Sequence, residues 1–145
     1  MNEVVSRALF ERDVSGLSER LLTFRNWMLY GREFPVLNVG FRAEGRPELR
    51  LRLVAKNWNE EPASVELLNS AGEFLLEAPR HPGGVFNNSA HPATGRPFVC
   101  VAGAREYHIH PSHVNDSWEN YKNRAAYTLG GILTQLWNAW LKSIP

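Results

Sequence analysis

Leu49, Leu51 and Leu53 alternate with Arg50 and Arg52, and shortly before them Leu37, Val39 and Phe41 alternate with Asn38 and Gly40. A period of two puts every apolar side chain on one face of an extended strand and every polar one on the other. The turn sequence Glu44-Gly45-Arg46-Pro47 separates the two runs. This pattern predicts half-buried antiparallel strands whose second face, carrying Arg50 and Arg52, is solvated. Val65 and Leu67 supply a third short strand, beyond the connection Asn57–Pro62. Phe74, Leu75 and Leu76 supply a fourth, beyond the turn Asn69-Ser70-Ala71-Gly72. Short strands joined by tight connections predict a meander.

On either side the period becomes helical. Residues 3–29 predict a helix broken near Ser15-Gly16. Val4, Val5, Ala8 and Leu9 form its first stripe, Leu17, Leu21, Phe24 and Met28 its second, and Tyr30-Gly31 closes it. From about Ser117, the residues Tyr121, Arg124 and Ala125 lead into Leu129, Ile132, Leu133, Leu136, Trp137, Trp140 and Leu141. That i, i+3, i+4, i+7 series is a helix. Gly130-Gly131 predicts a break or a close packing contact within it. Asp116 or Ser117 reads as its N-cap, with Glu119 in the first turn. Between strands and helix, residues 77–97 crowd together Pro79, Pro82, Gly83, Gly84, Pro92, Gly95 and Pro97, and so predict irregular backbone. The fold class is α+β: an N-terminal helix, an antiparallel four-stranded meander, an active-site segment and C-terminal helices. At 145 residues, the expectation is a single domain spanning 1–145.

The charge balance is 16 Lys and Arg against 15 Asp and Glu. This gives no electrostatic case for nucleic acid or an anionic membrane as partner. Apolar runs of a few residues predict no membrane span, and Met1–Arg7 lacks the pattern of a secretory signal. One cysteine precludes an intramolecular disulfide and fits a reducing compartment, so the expected location is cytoplasmic.

All five histidines (81, 91, 108, 110 and 113) lie within residues 81–113, and the single cysteine, Cys100, lies among them. A free Cys between Val99 and Val101 reads either as a small buried hydrophobe or as a nucleophile. A nearby imidazole favours the second role, because it can take the thiol proton. Strand alternation would put His108 and His110 on one side, with Pro111 turning the chain before His113. Three imidazoles and Cys100 can ligate zinc, but the spacing matches no standard zinc pattern, and the expectation is no metal and no cofactor. The alternative role for these histidines is to cap loops by hydrogen-bonding the backbone. There is no phosphate-cradling glycine loop and no Gly-x-Ser-x-Gly elbow.

His91-Pro92 precedes Cys100 by nine residues, Gly95 lies between, and Phe98-Val99-Cys100-Val101 is apolar. With the helix–meander–helix order and Pro62 ahead of the third strand, this layout resembles the ubiquitin-conjugating (E2) family. That family carries His-Pro-Asn about ten residues before its catalytic Cys. Here Ala93 stands where the family has its oxyanion-stabilising Asn, and Tyr107-His108-Ile109-His110 occupies the stretch where the family has a Trp. In both respects the chain is similar to divergent bacterial E2-like proteins. Those proteins often sit in operons with a ubiquitin-like protein, an E1-like adenylating enzyme and a JAB-type metalloprotease.

The resemblance implies a transferase. An E1-like adenylating enzyme hands a ubiquitin-like protein to Cys100 as a thioester, and Cys100 passes it to an amine on a target protein. It implies that His91 orders the loop before the Cys. His108 and His110 serve as general base or oxyanion support, and Asn87, Asn88 or a histidine replaces the missing Asn. Two alternatives stay open at this point. One is a non-catalytic binding module of the UBC or RWD type; the other is a metal-dependent protein built on the histidine cluster.

Overall fold

The computed structural model describes residues 2–144. Helix α1 (Glu3–Ser15) starts at Asn2, whose side chain accepts the Val4 amide, and α2 (Glu19–Arg25) starts at Ser18, whose hydroxyl accepts that of Leu21. Both are N-caps that satisfy an orphan helix donor. Asn26, at φ 57°, ends α2 in the left-handed region. Strands β1 (Trp27–Gly31), β2 (Val36–Phe41), β3 (Leu49–Val54) and β4 (Ser64–Leu68) then form one antiparallel sheet in the order β1-β2-β3-β4. A small hairpin follows, β5 (Phe86–Asn87) against β6 (Phe98–Val99), then a single helical turn α3 (Arg105–His108). Two 3₁₀ turns, Trp118–Asn120 and Ala125–Tyr127, lead to α4 (Leu129–Lys142). The α+β reading of the sequence describes this architecture.

The register explains the core. Leu37 opposes Leu53, Val39 opposes Leu51, Phe41 opposes Leu49, and β4 adds Val65 beside Leu53 and Leu67 beside Leu51. All of these are buried. The helices cover this face: Phe10 and Val14 come from α1, and Ile132, Leu133, Leu136 and Trp140 from α4. Trp27 meets Trp137 edge-on at 5.9 Å, and Phe41 meets Trp140 at 5.8 Å. Leu51 has no exposed surface. Leu51→Ala should therefore cost about 2–5 kcal/mol in urea unfolding, and a loss under about 0.5 kcal/mol would contradict the assigned face.

Several expectations need correction. Residues 27–31 are strand, not the end of a helix, and β1 supplies the fourth strand. Phe74–Leu76 does not: Phe74 makes an isolated bridge to Leu68, and Leu76 is fully exposed. The inward face of α1 is Ser6, Phe10, Asp13 and Val14, while Val4 and Val5 are exposed. In the second stripe Leu17 is buried, but Phe24 is 87% exposed and Met28 lies on β1. Arg50 and Arg52 are half-buried rather than solvated. Arg50 lies over the Tyr30 ring at 3.6 Å, Arg52 over Phe74 at 5.6 Å, and Arg52 Nε donates to Glu66 at 2.7 Å. Aromatic rings thus shield both guanidinium groups, while Arg52 pairs across the strands with Glu66 and Arg50 donates to the Ser70 carbonyl at 3.2 Å. The helix expected from Ser117 begins at Leu129, where Thr128 caps it by accepting the Gly131 amide. Gly131 is a close contact: a Cβ there would strike the Ala125 carbonyl oxygen and the Ala126 backbone.

Candidate active site

The 77–97 segment is held by side chains that imitate backbone. Asn88 accepts the Ala78 amide at 2.7 Å and donates to the Ala78 carbonyl at 3.2 Å. Asn87 accepts the Ser89 amide and His81 accepts that of Gly83. With its carbonyl and amide groups both engaged, Asn88 is a clasp rather than a donor aimed at Cys100.

His91 is 1% exposed. Its Nε2–H donates to the Glu106 carbonyl at 2.8 Å, and its Nδ1 accepts the Ala93 amide at 3.0 Å. These partners fix the Nε2–H tautomer. The ring meets Phe98 edge-on at 4.7 Å, and Gly95, at φ 70°, returns its amide to the His91 carbonyl. His91 therefore ties the turn before β6 to α3.

The α3 turn is anchored on the sheet edge. Strand β4 ends the sheet, and its Val65 amide donates to both Glu106 carboxyl oxygens, at 3.0 and 3.3 Å. Burial pushes the Glu106 carboxyl up to about 7 from an ordinary 4.5. The folded state therefore holds its proton more tightly than the unfolded chain. This contribution is complete below the unfolded value and is lost as pH rises through about 7. Stability should fall by about 3 kcal/mol across that window, and Glu106→Gln, which keeps the acceptor, should flatten the slope. Urea midpoints measured at several pH values test this; an unchanged slope in the variant would exclude Glu106 as its source.

Cys100 follows β6, its amide donating to the Val85 carbonyl at 2.7 Å. Val99 points into the core, and Val101 packs against it from a half-buried position. Period-two alternation predicts that Cys100 lies opposite Val99 and Val101, on an exposed ledge; its side chain is instead half-buried, and burial pushes its thiol up. His113 Nε2 lies 3.7 Å from Cys100 Sγ.

His108 and His110 are not on a strand, because Arg105–His108 is helical. His108 Nδ1–H donates to the Asp116 carbonyl at 2.8 Å, and Nε2 accepts the Gly103 amide at 3.0 Å. Gly103 sits at φ 103°, where a Cβ would also crowd Tyr127 and Ile132. With both ring nitrogens engaged and burial pushing its pKa down, His108 is a neutral structural clasp. His110 accepts the Ser112 amide and stacks on Phe98 at 5.6 Å. The loop-capping reading fits His81, His91, His108 and His110, and His113 is the imidazole facing the sulfur. Among the described residues, no three His, Cys, Asp or Glu side chains converge as a metal site requires.

Beside Cys100 the sequence nominates only His91, His108 and His110 as catalytic, and His113 reads as a candidate zinc ligand or loop cap. Its position comes from a run of turns, His113 amide to His110 carbonyl and Asp116 amide to His113 carbonyl, that folds the chain back after Pro111. Asp116 is not the cap; Ser117 caps the following turn. The Asp116 carboxylate accepts the Tyr107 hydroxyl at 2.5 Å and the Tyr121 hydroxyl at 2.6 Å. These bonds hold Asp116 below the usual carboxylate range and push the Tyr107 phenol up.

The model of the Y4jH-like family matches residues 85–144, from the β5–β6 hairpin through α4. That stretch contains His91, Cys100 and the three histidines after it, and leaves the meander outside. No curated protein matches the chain. No helix among the described residues is long and apolar enough to cross a membrane.

Proposed function

We propose that this chain is an E2-like carrier that holds a ubiquitin-like protein on Cys100 as a thioester and passes it to an amine of a target protein. The observation that carries this reading is Cys100 itself: a half-exposed thiol on the loop leaving β6, with an imidazole against its sulfur. A thiolate attacks acyl groups well and leaves readily from a thioester, so one residue serves for both loading and discharge. The element order, helix then four-stranded meander then Cys loop then helix, supports the same reading. His91 acts as the resemblance suggests, by ordering the loop ahead of the Cys rather than by touching the reacting sulfur. The chain needs no cofactor for this chemistry; its partners are an E1-like adenylating enzyme, a ubiquitin-like protein and the target, acting in the cytoplasm.

The test is a non-reducing gel of this protein with an E1-like enzyme and a ubiquitin-like protein encoded beside it, plus ATP. A slower band that disappears on adding thiol supports the carrier. Its absence with those partners overturns the reading in favour of the binding module. The observation favouring that second reading is the same half-burial of Cys100, which makes the thiol less acidic.

A further inference from the structure

The two histidines that the resemblance nominates as base do not reach the sulfur's chemistry. His108 is saturated by backbone, and His110 is turned to Ser112 and stacked on Phe98. His113 is the ring at the sulfur, and an unusual amount of structure holds it there. Tyr107 stacks on it at 4.0 Å with the rings 15° from parallel. The Tyr107 hydroxyl is fixed by Asp116, which Tyr121 grips from a second direction. His108 binds the Asp116 carbonyl, so the loop from 108 to 116 is closed by its own first and last residues. The ring plane of His113 is thus set by a phenol whose own position is set by a carboxylate.

We propose that His113 is the proton-transfer residue for Cys100, and that Tyr107, through its stacked ring, is the positioning residue that keeps His113 on the sulfur. The inference rests on the reading of Cys100 as a nucleophile. With its proton on Nδ1, His113 presents the Nε2 lone pair to Sγ–H. As Cys100 attacks a donor thioester, the thiol proton passes to Nε2. The new C–S bond to Cys100 forms, the donor C–S bond breaks, and the departing donor thiolate takes the proton back. In discharge a neutral amine attacks the Cys100 thioester. The C–N bond forms, one amine proton goes to Nε2, and the same proton returns to the Cys100 thiolate as its C–S bond breaks. No oxidant or metal enters either step. Half-burial makes the base necessary, since it holds Cys100 in the thiol form that attacks poorly without help.

The experiment uses the whole chain alone and so separates the dyad from the carrier function. The second-order rate of Cys100 alkylation by iodoacetamide is followed by mass from pH 6 to 9, with a thermal melt of each variant beside it. His113→Gln should react about tenfold more slowly near pH 7 and approach the wild-type rate at high pH, where hydroxide ionises the thiol. Tyr107→Leu, which removes the stacked ring, should slow the reaction in the same pH-dependent way. Tyr107→Phe keeps the stacked ring and should recover most of the rate, the remaining deficit being the part the Asp116 bond contributes by fixing that ring. His113→Asn replaces the first variant should His113→Gln fail to melt cooperatively. Equal rates in wild type and a folded His113 variant across the pH range would overturn the proposal. So would a Tyr107→Leu rate equal to wild type. A pH-dependent drop in these variants, alongside no thioester band on the gel, would leave the dyad standing and remove the carrier.

Discussion

Asp13→Ala should cost about 3–5 kcal/mol. Asp13 lies on the buried face of α1, and its Oδ2 accepts the Trp58 indole N–H at 2.9 Å and the Leu129 amide at 3.1 Å. The indole belongs to a fully buried ring, and the amide is in the first turn of α4. One carboxylate oxygen therefore joins the N-terminal helix, the connection after β3 and the start of the C-terminal helix. Truncation leaves two buried donors unsatisfied, each at about 1–3 kcal/mol, and removes a negative charge from a helix N-terminus. Asp13→Asn keeps an acceptor and should cost distinctly less. Against a total stability of about 5–15 kcal/mol, the Ala change should lower the urea midpoint sharply. A shift worth under about 1 kcal/mol would mean that water replaces the lost acceptor. The loss should reach the candidate site too, because Ile132 of α4 packs beside Gly103, whose amide holds His108.

Asp13 also shows why the sheet was legible and the first helix was not. In β2 and β3 each inward position is apolar, and the outward ones are Asn, Gly or Arg apart from the paired Val36 and Val54 at one end, so burial on one face writes itself into the sequence as a period of two. On α1 the inward row includes Ser6 and Asp13, and exposed Val4 and Val5 supply a false stripe. Arg12 binds Oδ1 of Asp13 next to it, but the partners that make Asp13 a buried tie bind Oδ2 from 45 and 116 residues away and leave no local trace. Strand β1 was hidden for another reason. Trp27 and Leu29 alternate with Met28 and Tyr30, all of them apolar, so neither period stands out, and the stop is the left-handed Asn26.

The site divides along the same line. Cys100 and His91 stand out in sequence through the His-Pro and the apolar run around the Cys, both local features. The pairing of Cys100 with His113 depends on how the chain turns after Pro111, and on aromatic stacking that spacing does not encode. His108 and His110 looked equivalent to His113 as residue types. What separates them is which ring nitrogens the backbone has already taken.

Cys100→Ala should abolish formation of the thiol-sensitive adduct, because no other cysteine exists to accept the acyl group. The fold should survive, since the side chain is small, half-exposed and makes its backbone hydrogen bond through the amide to Val85. Association with the E1-like enzyme should persist, which a pull-down checks. Cys100→Ser is the more informative variant. Its hydroxyl is nearly isosteric with the thiol and stays within the reach of His113, so slow loading should give an oxyester. An oxyester is a poorer acyl donor than a thioester, so this adduct should accumulate, resist added thiol and yield to hydroxylamine. The time course of adduct loss with a free amine present measures the difference between the two. An adduct formed equally well by Cys100→Ala would assign attachment to another nucleophile and remove Cys100 from the mechanism. An adduct in Cys100→Ser that thiol still cleaves would show that its bond is not the ester this chemistry requires.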